Sequence, residues 1–372
     1  MLYLDNAATT KLNPEVLTAM LDSLNSYGNS EAKFYEQAEY AKKAISIARS
    51  QVAHIINAKN DDEIIFTSGA TESNNMVLKG SVAWKNIAKP KIVISAIEHS
   101  SIYDTCIYLK SCGVNISIVP VDSTGQINLE LLKNEIDAHT VLVSVIAVNN
   151  EIGTIQNLHK IDEICHEMGV PLHTDATQAI GKININVQEY KSLAYLTFSA
   201  HKIYGPKGIG CLYVRDDLNG IKQGLVPLLH GGEQEANLRA GTLPTMLIVG
   251  FGKACEIAER DFLENHKKCI ALEKLIVDKF SKAFKGEISV NNDFNQRIPG
   301  ILNIRFKGYN NLVLLKAISP IIAASTGSAC AVSKPSRVLK AIGLSDMEIS
   351  ESLRLSFSPY MDISDLDDID KL

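Results

Sequence analysis

Hydrophobic positions along the chain predict helices first and then strands that alternate with helices. Between residues 38 and 55, apolar residues recur at spacings of three and four, which is the pattern of one apolar stripe on a helix. The run over residues 140–148 is almost continuously apolar, as expected for a strand buried on both faces. Strands that alternate with helices indicate βαβ units and a mainly parallel sheet. The predicted strands cover residues 63–66, 91–95, 140–148, 170–174, 195–198 and 210–214.

The pattern changes near residue 254, which suggests a second domain. Residues 254–284 have the character of long helices rich in Lys and Glu, and strand-like runs follow at 300–306 and 352–357. A length of 372 residues also favours about two domains. We therefore predict an α/β protein with a large domain and a smaller α+β domain. The large domain is predicted over residues 14–254, and the small domain over residues 1–13 and 255–372.

Composition and charge exclude several classes of protein. Asp and Glu outnumber Lys and Arg by 42 to 37, and the basic residues form no run of five, so nucleic-acid binding is not expected. The chain has neither a long apolar stretch nor an apolar leader, so we expect no membrane span and no secretory signal. The seven cysteines include no CxxC pair, which argues against a disulfide framework or a structural metal site. We therefore expect a cytoplasmic protein without a metal centre.

Chemically competent side chains follow several of the predicted strands. In open α/β sheets, ligands bind beyond the carboxyl ends of the strands. A turn of small and hydroxyl residues at 67–72 opens a helix and has the composition of a phosphate-binding turn. A lysine, an aspartate, an imidazole and amides beside such a turn suit pyridoxal phosphate, which needs a Schiff-base lysine and an acidic partner for its pyridine nitrogen. The residues after the later strands are His99, Asn150, Asp175, Gln178, Ser199, His201 and Lys202.

Separated motifs in a fixed order give the chain a family resemblance. They are YLDNAATT, FTSGATESNN, EHSS, VNNEIGTIQ, HTDATQAIGK, FSAHKIYGPKGIG, LRAGT, STGSAC and LRLSFSP. From Leu4 to about Pro359 the chain resembles a cysteine desulfurase of the type that supplies sulfur for iron–sulfur clusters and thio-modification. Such relatives are fold-type I pyridoxal-phosphate enzymes. The resemblance therefore implies a mainly parallel seven-stranded sheet in the large domain.

The same resemblance implies a role for individual residues in cofactor binding. Lys202 is the implied Schiff-base lysine, His99 stacks on the pyridine ring, and Asp175 pairs with the ring nitrogen. Gln178 meets the ring hydroxyl, and Thr242 reaches the phosphate across the interface of a homodimer. The full set implied to bind pyridoxal phosphate is Ala70, Thr71, His99, Asn150, Asp175, Gln178, Ser199, His201, Lys202 and Thr242.

The resemblance also implies how the substrate L-cysteine is bound and cleaved. Asn150 and Arg354 grip its carboxylate, for which the planar fork of an arginine is well suited. Lys202 moves the α-proton, and the Cys330 thiolate attacks the substrate sulfur, which gives a persulfide and alanine. The implied catalytic residues are thus Cys330, Lys202 and His99. The other six cysteines lie in helix-like or apolar stretches, where a cysteine usually serves packing.

Three departures from the family pattern affect the walls of the expected site. Phe34 stands where relatives carry a histidine after a GNPSS-type loop, and Glu233 stands where a third glycine is common. Only four residues separate Cys330 from Pro335, about two fewer than in relatives with a long catalytic loop. Because an extended chain spans about 3.5 Å per residue, the shorter segment restricts the reach of Cys330.

These observations predict a cysteine desulfurase with a dedicated sulfur-acceptor protein. One hypothesis for the pathway is sulfur supply for DNA phosphorothioation, and the alternative is a general donor for iron–sulfur clusters or tRNA thiolation. A selenocysteine lyase on the same scaffold is a further alternative. A third class, a partner-docking or sulfur-carrier subunit without catalysis, would have no need for Lys202, Asp175, His99 and Arg354 together.

Overall fold

The computed structural model describes the chain except for Ser26, 218–221, Gln223, Gly286, 292–294 and 328–334. Over the described residues it is built from short strands and longer helices. The strands are β1 (Leu2–Tyr3), β2 (Ile64–Thr67), β3 (Lys91–Ser95), β4 (Asn115–Val119), β5 (Thr140–Ser144), β6 (Leu172–Asp175), β7 (Leu193–Ser199), β8 (Gly210–Val214), β9 (Ile288–Val290), β10 (Ile301–Phe306), β11 (Ile322–Ala323) and β12 (Ser352–Ser356). The helices are α1 (Pro14–Asp22), α2 (Glu36–Ile55), α3 (Ala70–Lys85), α4 (Ser100–Ser111), α5 (Leu129–Glu135), α6 (Leu158–Met168), α7 (Thr245–Arg260), α8 (Phe262–Ala283), α9 (Asn311–Ile318), α10 (Arg337–Ala341) and α11 (Asp346–Ser350).

A seven-stranded sheet in the order β2-β8-β7-β6-β5-β3-β4 forms the centre of the fold. Strand β8 runs antiparallel to both of its neighbours, and the other pairs are parallel. Every residue of β5 and β7 is buried, as their apolar sequences require. The predicted α/β fold with a mainly parallel seven-stranded sheet is confirmed.

Helices cover both faces of this sheet. On one face, apolar residues of α2, α6 and α7 such as Val52, Ile161 and Phe251 join the core. On the other face, α3 and α4 contribute residues such as Val77 and Ile102. Parallel strands buried on both faces in this way leave only their ends open, which places any ligand site at an edge of the sheet.

A smaller sheet packs beside the large one and brings the two ends of the chain together. Strands β9, β10 and β12 are antiparallel, and their apolar residues pack against Ile276 and Phe280 of α8. Strand β1 pairs in parallel with β11, and the carbonyl of Ser356 accepts the backbone N–H of Asn6. The amino-terminal segment is therefore fixed by residues near the other end of the chain.

Some predicted boundaries differ from those in the structure. The strand predicted over residues 140–148 ends at Ser144, although the amides of Val145 and Ala147 still donate to carbonyls of the β6 region. Strand β4 has only one fully buried residue, Val119, so it lacks the apolar run that marks its neighbours. The domain boundary at residue 254 stays a prediction, and that residue lies within α7. Across the described ranges there is no helix of sufficient length and apolarity to cross a membrane, and no cluster of potential metal ligands.

Candidate active site

A cavity of about 510 Å³ opens at the carboxyl ends of the parallel strands. Strands β6 and β7 end at Asp175 and Ser199, which line the cavity directly. The small sheet contributes one wall through Arg354. The predicted site residues that line this cavity are Ala70, Thr71, His99, Asn150, Asp175, Gln178, Ser199, His201, Lys202 and Arg354.

Both carboxyl oxygens of Asp175 accept hydrogen bonds. Its Oδ2 accepts from Nδ2 of Asn74 at 2.8 Å, and its Oδ1 accepts from the backbone N–H of Thr177 at 3.0 Å. The hydroxyl of Thr197 donates to Oδ1 of Asn74 at 2.6 Å, which orients the amide so that its NH₂ faces the carboxylate. Donors to both oxygens stabilise a buried carboxylate. Asp175 is therefore suited to pair with a protonated ring nitrogen.

His99 caps helix α4 and stays uncharged. Its Nδ1 accepts from the backbone N–H of Ser101 at 3.2 Å and lies 2.8 Å from the Ser101 hydroxyl. The same NH₂ group of Asn74 that bonds Asp175 also donates to the Ser101 hydroxyl, at 2.8 Å. Burial lowers the pKa of His99 below its ordinary value. A neutral imidazole in this position presents a flat ring that suits stacking.

A second histidine lies behind Asp175, inside the sheet. His173 bonds the Ser144 hydroxyl through Nδ1 at 2.9 Å, and its Nε2 lies 3.5 Å from the hydroxyl of Thr197. Burial lowers the pKa of His173 to about 4, so the ring is neutral near pH 7. A chain of hydrogen bonds thus runs from the sheet interior to the cavity.

Lys202 lies on a 3₁₀ turn after β7 and faces the amino-terminal segment. Its Nζ donates to the carbonyls of Ala7 and Ala8, both at 2.7 Å. The YLDNAATT segment therefore supplies backbone acceptors that hold the lysine at the cavity. No residue-type pattern marks backbone carbonyls, so this contact was not predictable from the motif.

The turn after β2 forms a cradle with the end of β7. The amide of Ala70 donates to the Ser199 hydroxyl at 2.7 Å. A Cβ atom at Gly210 would lie 2.7 Å from Cα of Gly69, so only glycine allows strand β8 to approach this turn so closely. His201 lies 3.1 Å from the Thr9 hydroxyl through Nδ1, and burial lowers its pKa to about 4. Amides at the start of α3 and neutral hydrogen-bonding side chains suit a phosphate group.

Gln178 connects the cavity to a buried lysine. Its Nε2 donates to the carbonyl of Ala7 at 2.9 Å, and its Oε1 accepts from Nζ of Lys182 at 2.6 Å. Burial lowers the pKa of Lys182 to about 7, and the nearby charge of Lys202 acts in the same direction. Lys182 is the last residue of the HTDATQAIGK motif, but its position in the motif predicts no role for it.

Arg354 forms the opposite wall of the cavity. Its side chain is only 1% exposed, Nη2 pairs with Oδ1 of Asp5 at 2.8 Å, and Nη1 donates to the carbonyl of Asn150 at 3.1 Å. Its Nε is buried without a hydrogen-bond partner, as is the hydroxyl oxygen of Thr177, which also lines the cavity. Buried donors without partners are costly, so both atoms indicate a missing acceptor. A carboxylate would satisfy the guanidinium.

Other predicted residues lie away from the cavity or outside the described ranges. Thr242 is exposed and does not line the cavity. Cys330 falls within 328–334 and lies outside the described residues. Phe34 is 96% exposed, and Glu233 is also exposed, so neither contributes to the cavity within this chain.

The donors around the cavity fit pyridoxal phosphate. The cradle of Ala70, Ser199 and His201 suits its phosphate, and the carboxyl group of Asp175, with donors at both oxygens, suits its ring nitrogen. Lys202 is held at the same cavity, and neutral His99 offers a stacking surface. We infer that these residues hold the cofactor.

Comparisons with known proteins agree with this assignment. The family profile described as Aminotransferase class-V matches residues 2–369. The chain is 40% identical over 370 residues to "Cysteine desulfurase IscS" of Rickettsia typhi, which covers 98% of this chain and 88% of that protein. A solved NifS-like protein superposes with a TM-score of 0.91 at 32% identity, over 100% of this chain and 97% of that one. DndA from Streptomyces lividans superposes with a TM-score of 0.80 at 31% identity, over 96% and 99% of the two chains.

Fold, profile and full-length relatives therefore agree with the resemblance that the motifs predict. The predicted cofactor, pyridoxal phosphate, is confirmed because the class-V aminotransferases and cysteine desulfurases that the chain matches depend on it. The chain belongs to the cysteine desulfurases, which are pyridoxal-phosphate-dependent enzymes of the class-V aminotransferase family.

Proposed function

We propose that the protein converts L-cysteine to L-alanine and takes the sulfur as a persulfide on Cys330 for delivery to an acceptor protein. The observation that carries this proposal is the position of Arg354, a buried guanidinium with an unpaired Nε, in the same cavity as Lys202 and Asp175. An amino acid bound there has its carboxylate on Arg354 and its α-carbon directed to the lysine wall.

In the proposed reaction, each of these cavity residues has a separate role. When bound, pyridoxal phosphate supplies an electron sink for the α-carbon of the substrate. Asp175 balances the charge of the ring nitrogen, neutral His99 stacks on the ring, and Gln178 contacts the ring hydroxyl. Lys202 Nζ takes the α-proton and returns a proton to the product. Asn150 and Arg354 orient the substrate carboxylate, which fixes the direction of the thiol group.

Cys330 receives the sulfur. Its thiolate forms a bond to the substrate sulfur while the substrate's bond between Cβ and sulfur breaks, and protonation at Cβ completes alanine. A thiolate is required because the thiol is a weak nucleophile. The persulfide is reversible, so a second thiol on an acceptor can take the sulfur onward.

Alanine release from L-cysteine tests this activity. With pyridoxal phosphate and a thiol reductant present, we expect the wild type and Cys112→Ser to release alanine at similar rates. Cys112 is the matched control because it is an exposed cysteine distant in sequence from the motif. We expect Cys330→Ser to lose at least about 99% of the activity, as is typical for removal of a nucleophile. Equal rates for Cys330→Ser and wild type would contradict the role of Cys330.

We further propose a dedicated sulfur acceptor, with DNA phosphorothioation as the pathway. The short spacing of Cys330 and Pro335 and the similarity to DndA support this choice. The alternative, a general iron–sulfur or tRNA-thiolation donor, is supported by the similarity to IscS proteins. The enzyme loaded with a ³⁵S persulfide is mixed with a purified phosphorothioation acceptor or with a purified iron–sulfur or tRNA-thiolation acceptor. The rate of ³⁵S transfer to each acceptor separates the alternatives. The ratio of rates on cysteine and selenocysteine tests the lyase alternative.

We also propose a homodimer in which Thr242 reaches the cofactor phosphate bound to a second copy. The exposure of Thr242 and its absence from the cavity of its own chain support this arrangement. Sedimentation of the wild type gives the oligomeric state. A monomer that retains full activity would contradict the proposal.

A further inference from the structure

Asn74 is a fully buried residue of α3 that the cofactor and substrate assignments leave without a role. It does not line the main cavity. Its amide nevertheless lies between two residues that do, Asp175 and His99, and it reaches the second of them through the hydroxyl of Ser101. Contacts from α4, β6 and β7 therefore meet at this one side chain.

The hydrogen bonds of Asn74 fix the orientation of its amide. Its Oδ1 accepts from the hydroxyl of Thr197 at 2.6 Å, and its Nδ2 lies 2.8 Å from both Oδ2 of Asp175 and the hydroxyl oxygen of Ser101. An amide NH₂ group carries two protons, so it can donate to both of these oxygens. The reverse orientation would place Oδ1 of Asn74 against a carboxyl oxygen of Asp175. The NH₂ group therefore faces Asp175 and Ser101, and both of its protons are in use.

The Ser101 hydroxyl carries this orientation on to His99. Because its oxygen accepts from Asn74, its own proton is available for another partner. Nδ1 of His99 lies 2.8 Å from that oxygen, and the hydroxyl has no further hydrogen-bond partner among the residues that the structure describes. The backbone N–H of Ser101 donates to the same Nδ1 at 3.2 Å. Nδ1 thus faces two donors, which leaves no place for a proton of its own.

The remaining ring nitrogen of His99 then carries the proton. A neutral imidazole has one N–H, and its other nitrogen is an acceptor. Burial, which lowers the pKa of His99, agrees with a ring that holds a single proton. Nε2 makes no hydrogen bond within the described part of the chain, and the ring lines the main cavity. Its N–H is therefore left for an acceptor atom of a molecule bound in the cavity.

We propose that Asn74 is a positioning residue that holds the proton of His99 on Nε2 through Ser101 and at the same time orients the carboxyl group of Asp175. His99 then acts as a hydrogen-bond donor from Nε2 and cannot accept a proton there, so proton abstraction from the substrate is left to Lys202. This consequence for the reaction rests on the proposed function, whereas the position of the proton does not. A single amide thereby sets the hydrogen bonding of two cavity residues from different elements.

The ¹⁵N NMR spectrum of holoenzyme with labelled histidine rings tests the position of the proton. The signals of His99 are identified by their loss in His99→Gln. We expect the wild type to show a neutral ring that is protonated at Nε2. Asn74→Leu keeps the size of the side chain but leaves the Ser101 hydroxyl free to turn away from Nδ1. We therefore expect the ratio of the Nε2–H form to the Nδ1–H form to fall by about fivefold, the usual effect of one hydrogen bond.

Ser101→Ala removes only the hydroxyl and decides the question if Asn74→Leu does not fold. It should change the ratio of the two forms of His99 as Asn74→Leu does. Cofactor affinity separates the two variants. We expect the dissociation constant of pyridoxal phosphate to rise about fivefold in Asn74→Leu, which loses a donor to Asp175, and to stay within about twofold of wild type in Ser101→Ala.

Asn75→Leu is the matched control for both measurements. Asn75 is the next amide on α3, and it also links this helix to α4, because its Oδ1 accepts from the Thr105 hydroxyl at 3.2 Å. Its Nδ2 donates to the carbonyl of Thr71 at 2.9 Å rather than to Asp175. We expect Asn75→Leu to leave the His99 signals and the dissociation constant of pyridoxal phosphate unchanged.

Several results would overturn the inference. A wild-type His99 ring protonated at Nδ1, or at both nitrogens, would refute the position of the proton. An unchanged ratio of the two forms in folded Asn74→Leu or Ser101→Ala would refute the control of His99 by Asn74, and an unchanged dissociation constant in Asn74→Leu would refute its role toward Asp175. Alanine release is measured separately. A wild type with the expected ring that releases no alanine from L-cysteine would refute the proposed function and leave the position of the proton intact.

Discussion

Two walls of the cavity are held in place by different kinds of contact. The cofactor wall comprises His99, Asp175, Ser199 and Lys202, and each of these residues follows or ends an element of the large sheet. The substrate wall comprises Asn150 and Arg354. On the cofactor wall, both oxygens of Asp175 already have donors. On the substrate wall, Nε of Arg354 has no partner.

The difference indicates which wall is complete before the substrate binds. The cofactor wall depends mainly on the large sheet, where both oxygens of Asp175 have donors, and Lys202 is held in addition by the carbonyls of Ala7 and Ala8. We therefore expect substitutions on this wall to lower the catalytic rate without changing the structure. The substrate wall depends on contacts between distant parts of the chain, such as Asp5 with Arg354 across 349 residues. Substitutions on the substrate wall should therefore affect substrate binding and delivery of the Cys330 thiol more than they affect cofactor binding.

Asp175→Asn tests the cofactor wall and has the largest expected effect. The amide cannot balance a positive ring nitrogen, so we expect kcat per loaded enzyme to fall by about 10³-fold, the upper range for one electrostatic group. The matched control is Asp162→Asn, because Asp162 is another buried aspartate that accepts backbone amides but lies away from the cavity. A similar kcat loss in both variants would show that the effect is structural.

Arg354→Lys tests the substrate wall and has an intermediate expected effect. A lysine lacks the planar fork that binds a carboxylate, so we expect KM for L-cysteine to rise by about 10²-fold, or about 2.7 kcal/mol. The cofactor spectrum should not change. Asp5→Asn keeps the guanidinium and removes only its ion pair, so a smaller rise in KM is expected. An altered cofactor spectrum in Arg354→Lys would contradict the separation of the two walls.

Glu98→Gln tests a buried carboxyl group next to His99 of the cofactor wall, held by the Ser95 hydroxyl and the amide of Ile146, and has the smallest expected effect. The carboxyl group of Glu98 is fully buried, and burial raises its pKa to about 8. The folded state therefore keeps a proton that the unfolded state releases above pH 4.5, and this contribution to stability is lost as pH rises toward 8. Between pH 6 and 7, the free energy of unfolding of the wild type should fall by roughly 1 kcal/mol relative to Glu98→Gln.

Urea denaturation of both proteins at pH 6 and pH 7 measures this difference. Glu348→Gln serves as the control because Glu348 is far more exposed and its carboxyl pKa is lowered by hydrogen bonds from Ser345. Parallel pH profiles for the wild type and Glu98→Gln would mean that Glu98 titrates in its ordinary range.

The cofactor wall could be predicted from the sequence to a greater extent than the substrate wall. Asp175 and Ser199 end buried strands, so the rule that ligands bind at strand ends predicts their position. Asn74 was missed although it lies in a recognised motif, because its role depends on simultaneous contact with Asp175 and Ser101 from different elements. The carbonyls of Ala7 and Ala8 carry no residue-type signal at all.

The amino-terminal segment gives the site a particular order of assembly. Asn6 and Ala7 bond Ser356, and this same segment supplies the carbonyls that hold Lys202. During synthesis the first residues leave the ribosome long before residues 354–356 do. Contacts so distant in sequence form slowly, because a large loop must close first. A growing chain thus carries the reactive lysine before it has the framework that holds it, and cofactor capture in its final geometry must follow the synthesis of residues 354–356.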